Sequence, residues 1–261
     1  MGFFTPSELL TYRFFLGSLT LVAIRPGSIS QLTRAKCKLA LPTAAVLSVS
    51  MLTLWQGVKY SDTGLSAFLA NSEFILIPII LYFFFKQKIS LMTGVLVLTG
   101  LVGMALLSLQ QGLNISVGTS FLLASATCFA FYAILNTELT KKIAPFELSL
   151  LNLSLSTVFC AFAAIFEGFT FNFSLDSTLP LLYLGPIILG IRFLFITYGQ
   201  SKVRASHAGL IYLCEPISAS LIGCFLMSET FSSTQLLGIL ILIATVLGSF
   251  FVVSQEEARE V

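Results

Sequence analysis

Residues 234–253 read TQLLGILILIATVLGSFFVV, twenty residues without a charge. A bilayer hydrocarbon core about 30 Å thick is crossed by roughly 20 helical residues. Backbone polar groups in lipid have to pair within their own segment, so this stretch predicts a membrane-spanning α-helix. Working back toward the N-terminus, similar stretches recur near 6–24, 39–58, 64–85, 91–109, 119–137, 146–166, 179–199 and 206–227, separated by short polar loops. The chain therefore reads as an all-α membrane protein of nine transmembrane helices, with little left over for a soluble domain. Composition agrees, with 56% hydrophobic and only 10% charged residues, where soluble domains carry about a quarter charged.

The net charge of +2 is small, and its placement carries the information. Arg25, Arg34, Lys36, Lys38, Lys86, Lys88, Lys141, Lys142, Lys202, Arg204 and Arg259 fall in the loops after the first, third, fifth and seventh stretches and in the tail. The alternate loops hold only Lys59. By the positive-inside rule the C-terminus and the odd-numbered loops face the cytoplasm and the N-terminus lies outside. The expected location is the cell membrane, with multiple passes.

Cys37, Cys128, Cys160, Cys214 and Cys224 include no CxxC pair, so neither a disulfide framework nor a metal site is expected. No cofactor is indicated. The start MGFFTPSELL lacks the basic region of a cleavable signal peptide. Basic residues are scattered over five places, which argues against nucleic acid as a partner. The lipid bilayer and a small molecule are the expected partners, and homo-oligomerisation is left open.

The two halves echo each other. Leu54–Ser90 (LWQGVKYSDTGLSAFLANSEFILIPIILYFFFKQKIS) aligns without gaps on Ile196–Ser232 (ITYGQSKVRASHAGLIYLCEPISASLIGCFLMSETFS), pairing Gly57 with Gly199, Glu73 with Glu215, Phe83 with Phe225 and Ser90 with Ser232. Pro6-x-Glu8-Leu9 opens one helix and Pro145-x-Glu147-Leu148 its counterpart. The paired helices run in opposite directions across the membrane, the inverted-repeat construction of secondary transporters, which place substrate near the midplane between halves. The repeats are assigned to residues 1–110, with four helices, and 117–255, with five. Helix 119–137 has no counterpart before Pro6, so a five-plus-five pattern is expected to lack its first helix here, by truncation, by late assignment of the start or by true loss.

These residues resemble EamA-type proteins of the drug/metabolite transporter superfamily. Pro6-x-Glu8-Leu9-x-x-Tyr12-Arg13-Phe14 is similar to the start of that family's second helix. Ser206–Gly248 resembles the close of its second repeat, with Glu215-Pro216, Met227-Ser228-Glu229 and Gln235-x-x-Gly238, and Pro78 lies in the proline region of the matching first-repeat helix. The family's acidic residue before the last helix of each repeat is matched by Glu229, while Gln87 stands at the first-repeat position. The resemblance implies carriage of amino acids and other small metabolites or drugs, often outward.

Four charges lie well inside predicted spans: Arg13, Glu73, Arg192 and Glu215. A charge at a helix centre costs roughly 2.5–3.5 kcal/mol on insertion scales, so such residues face a partner or a cavity. One reading is mutual ion pairing that glues helices. The other is function: an arginine meeting a substrate carboxylate, or a glutamate carrying a coupled proton. Pro186 and Pro216 predict kinks beside Arg192 and Glu215. Trp55, Tyr198 and Tyr212 are candidates to line a pocket, with interfacial aromatic belts as the competing account. Glu8 and Glu147 open helices, where they favour the helix dipole. His207 is expected at an exposed or capping helix entrance. Gly94, Gly100, Gly103 and Ala219-x-x-x-Gly223 are read as close-packing positions. Asn114-x-Ser116 and Asn172-x-Ser174 match glycosylation sequons.

An intramembrane enzyme is disfavoured: HExxH, GxSxG and a Walker A motif are absent, and the only aspartates, Asp62 and Asp176, lie in loops. The function expected is secondary transport of small metabolites, with export of amino acids or related amphipathic compounds by alternating access as the leading form. The alternatives are a membrane-embedded binding or sensing protein and an inactive truncated transporter.

Overall fold

The structure, a computed structural model, describes residues 4–109, 115–168, 175–228 and 230–260. The sequons' asparagines, Asn114 and Asn172, and the acidic residue Glu229 lie outside the described residues. Among the described residues nine helical segments are long and apolar enough to cross a membrane, and each overlaps one of the nine expected stretches. Their outer faces are apolar: Phe83 is 70% and Phe225 79% exposed. Contiguous apolar surface of this kind suits lipid rather than water.

Six spans are single helices: α1 (Pro6–Ile24), α2 (Arg34–Lys59), α5 (Leu91–Ser108), α6 (Val117–Leu139), α7 (Pro145–Glu167) and α12 (Ser233–Glu260). The other three are interrupted. Thr63–Phe83 is α3 (Thr63–Ala70) followed by α4 (Glu73–Phe83), and the eighth span is α10 (Ala205–Ile211) followed by α11 (Cys214–Met227). The seventh holds α8 (Leu175–Tyr183) and α9 (Arg192–Gln200), joined by a π-helical stretch at Leu184–Ile191.

Local chemistry accounts for the interruptions. At the end of α3 the Asn71 side-chain amide donates to the Ala67 carbonyl at 2.9 Å and the Ser72 hydroxyl to that of Leu69 at 2.7 Å. These side chains take acceptors that a continuing helix would use. In the eighth span Pro216 has no N–H to offer the Tyr212 carbonyl four residues back. That carbonyl accepts the Glu215 N–H at 2.9 Å instead. The kink expected at Pro216 is thus a full break at Tyr212–Leu213, and Pro216 sits in the first turn of α11, where a missing donor costs nothing. The kink expected beside Pro186 takes the form of the π-helical stretch.

The register that pairs Gly57 with Gly199 aligns the backbone as well as the residues. Thr63 and Ala205 open matching helices, and the breaks, at Asn71–Ser72 and Tyr212–Leu213, fall within one residue of equivalent positions. Among the described residues the two non-glycine ones with left-handed backbone, Lys86 and Ser228, are also equivalent, each at φ 53°. Ser90 and Ser232 then cap the next helices, their hydroxyls accepting the N–H of Thr93 at 3.1 Å and Gln235 at 3.3 Å.

Spatially the chain divides into two compact units, one of Met1–Trp55 and Leu135–Lys202, the other of Gln56–Ile134 and Val203–Val261. Each draws helices from both sequence halves. In the first unit α1 packs along α7 and against the π-helical stretch. A Cβ on Gly17 of α1 would stand 3.0 Å from the Gly190 nitrogen and 3.2 Å from the Gly185 oxygen, so three glycines let two backbones touch. In the second unit α12 packs along α5, where Gly103 and Gly238 play the same part. His207 departs from expectation. It is 3% exposed, because the entrance of α10 is packed inside the second unit rather than at its surface.

Candidate functional site

The structure gathers Arg13 and Arg192 in the first unit and Glu73 and Glu215 in the second. Arg13 lies in α1, 9% exposed, with its guanidinium over the Trp55 ring at 5.7 Å from the centroid. Arg192 opens α9 directly after the π-helical stretch, near enough for the two like charges to act on each other. The Arg13 Nε is buried and, among the described residues, has no hydrogen-bond partner. Neither described ion pair includes Arg13.

The acidic side chains described in this unit are engaged elsewhere. Glu8 accepts the Thr5 N–H at 2.8 Å while the Thr5 hydroxyl accepts the Glu8 N–H at 3.3 Å, a capping box that secures the start of α1. Glu147, in the first turn of α7, pairs with Lys36. Glu138 pairs with Lys141 at 2.8 Å, and Glu167 accepts the Ser7 N–H at 3.4 Å. Glu8 and Glu147 therefore sit at helix starts as the sequence suggested, each with a specific partner besides the helix dipole.

A second feature of this unit escaped the sequence reading. The Thr43 hydroxyl donates to Asn152 Oδ1 at 2.8 Å, and the Asn152 amide to Asn136 Oδ1 at 2.7 Å. The Asn136 amide donates to Gln200 Oε1, and to the Thr197 hydroxyl at 3.4 Å. This buried chain of uncharged groups ties together α2, α7, α6 and α9. The available signal was an amide within an apolar run, at Asn136 in CFAFYAILN and at Asn152 in LSLLNLSL. A search confined to charged residues passes over it.

In the second unit Glu73 is the first residue of α4 and Glu215 the second of α11. Both glutamates stand at the N-terminus of a half-helix, where unpaired N–H groups and the dipole favour negative charge. The breaks converge: a Cβ on Gly100 of α5 would meet Leu213 Cδ1 at 2.9 Å and Phe74 Cε2 at 3.1 Å. Equivalent in sequence, the two glutamates differ in surroundings, with Glu73 buried and Glu215 exposed. Tyr212, at the break, packs edge-on against Phe129 at 5.8 Å. Tyr198 is 44% exposed near the end of α9, and Trp55 is engaged by Arg13.

The sequence profile of the EamA-like transporter family matches residues 116–251, more than half of the chain. The chain belongs to this family. An uncharacterized transporter of Archaeoglobus fulgidus is 29% identical over 161 residues, 62% of this chain and 57% of that protein. One from Clostridium kluyveri is 21% identical over 263 residues, 93% of this chain and 82% of the relative. The uncharacterized transporter YetK of Bacillus subtilis is 24% identical over 210 residues, 77% and 62% respectively. The chain thus spans less than two thirds of the archaeal and Bacillus relatives. A solved crystal structure superposes with a TM-score of 0.82 at 14% identity, covering 96% of this chain and 90% of the other, so the EamA-like chain shares that fold.

Proposed function

We propose that this EamA-like chain is a secondary transporter of small metabolites in the cell membrane, exporting amino acids or related amphipathic compounds by alternating access, with its C-terminus in the cytoplasm. The observation that carries the proposal is the repeated backbone interruption. Two membrane spans of opposite expected direction break within one residue of equivalent places and resume with a glutamate in the first turn. Discontinuous spans in inverted repeats are where transporters bind substrates and coupling ions. Repeats at 1–110 and 117–255, related by inversion, supply two equivalent arrangements that open to opposite sides. Glu73 and Glu215 are then the groups that take up a proton or a substrate ammonium.

The test is paired measurement of amino-acid flux and protein behaviour for Glu215→Gln and Glu73→Gln in reconstituted vesicles. Loss or decoupling of flux at wild-type yield and thermal stability supports the reading. Parallel loss of flux and yield favours a purely structural role, and full flux with an unchanged pH profile removes the residue from the site.

A further inference from the structure

We propose that Arg13, held against Trp55, is the docking point for a carboxylate on the transported molecule. The proposal rests on the transporter reading above and narrows its substrate class. Three observations converge in the first unit. Arg13 is nine-tenths buried in a membrane span, where an uncompensated charge is costly and marks a site that meets a charged partner. Its Nε has no hydrogen-bond partner among the described residues, and the acidic side chains described in the unit are committed to Thr5, Lys36, Lys141 and Ser7. The nearby charge of Arg192 has the same sign.

The Arg13 guanidinium repels a substrate ammonium and attracts an anion. A guanidinium presents a rigid planar fork that matches a carboxylate with two parallel hydrogen bonds. The Trp55 ring 5.7 Å from the Arg13 carbon fixes the plane of that fork by a cation–π contact. Trp55 is a positioning residue here: it acts through Arg13 and restricts the angle from which an anion is met.

Trp55 is the one tryptophan in the chain, so its emission reports on the site without labelling. The experiment titrates the full chain in detergent with acetate, succinate, leucine and N-acetyl-leucine, and in parallel with leucinamide and isoamylamine, which keep the side chain and remove the carboxylate. A saturable change in Trp55 emission with at least one carboxylate, and none with the amide or amine, is the expected result. In Arg13→Gln the affinity for that carboxylate falls by about tenfold or more, the usual consequence of losing a charge-assisted bond. In Arg13→Lys, which keeps the charge and loses the fork, it falls less. Equal responses to acid and amide in the wild-type chain, unchanged carboxylate affinity in either variant, or no response to any carboxylate overturns the proposal. Vesicle flux separates the two readings. Saturable carboxylate binding with no flux of that compound sinks the transporter reading and leaves the docking point, whereas flux indifferent to the carboxylate sinks the docking point and leaves the transporter.

Discussion

Replacing Asn136 by alanine removes the centre of the buried amide chain. Asn136 accepts from Asn152 at 2.7 Å and donates to Gln200, with a longer contact to Thr197 at 3.4 Å. Interhelical hydrogen bonds in membrane proteins average ~0.6 kcal/mol with a ceiling near 1.7, so two well-formed bonds put the loss at about 1–3 kcal/mol. The upper part of that range is favoured. The Asn152 amide stays buried after the change, and a stranded polar group costs more than the bond it has lost. The assay is reversible unfolding in mixed micelles with increasing SDS, as a double-mutant cycle with Gln200→Ala. The two changes share a partner, so they should be less than additive, with a coupling energy of ~0.6–1.7 kcal/mol. A loss below about 0.5 kcal/mol for Asn136→Ala, within the range of an inert surface change, or a coupling energy indistinguishable from zero, would refute the claim that this chain of amides holds the four helices.

Gly185→Ala places a Cβ 2.6 Å from the Leu16 Cβ and should cost about 1–3 kcal/mol as overpacking between α1 and the π-helical stretch. Gly199→Ala, with nothing within 4 Å of the added carbon, should be neutral or slightly stabilising, and thermal unfolding of the two variants side by side checks the contrast. For orientation, a single cysteine at Lys141 in a cysteine-free background should resist an impermeant thiol reagent in intact cells and one at Lys59 should react; labelling of the Lys141 site from outside would reverse the assigned topology.

The glutamates show where sequence reading stops. Their equivalence, their place in the repeat and the proline beside Glu215 are all legible in the linear text. That Glu73 is buried and Glu215 exposed is not, because burial depends on which neighbouring helix covers each break. The break at Asn71–Ser72 is harder to foresee than its counterpart. It comes from two short polar side chains capturing carbonyls, where the other follows from a proline that lacks a donor.

The sequence by itself determined the nine spans, the register that pairs Leu54–Ser90 with Ile196–Ser232 and the four charges well inside the spans. Each is a property of one segment, or of two segments compared: a helix in lipid satisfies its own backbone, so hydropathy and length suffice to find it. Tertiary structure alone decided which side chains meet. In water an apolar stripe marks the face of a helix that turns inward, but here outward faces are as apolar as inward ones, as Phe83 and Phe225 illustrate, and the stripe disappears. The touching glycines 17, 185 and 190, the amide chain from Thr43 to Gln200, and Arg13 over the Trp55 ring, with no carboxylate partner among the described residues, depend on how helices distant in sequence cross. Contact geometry sets that crossing through small residues and buried polar groups, which hydropathy averaged along a segment does not register.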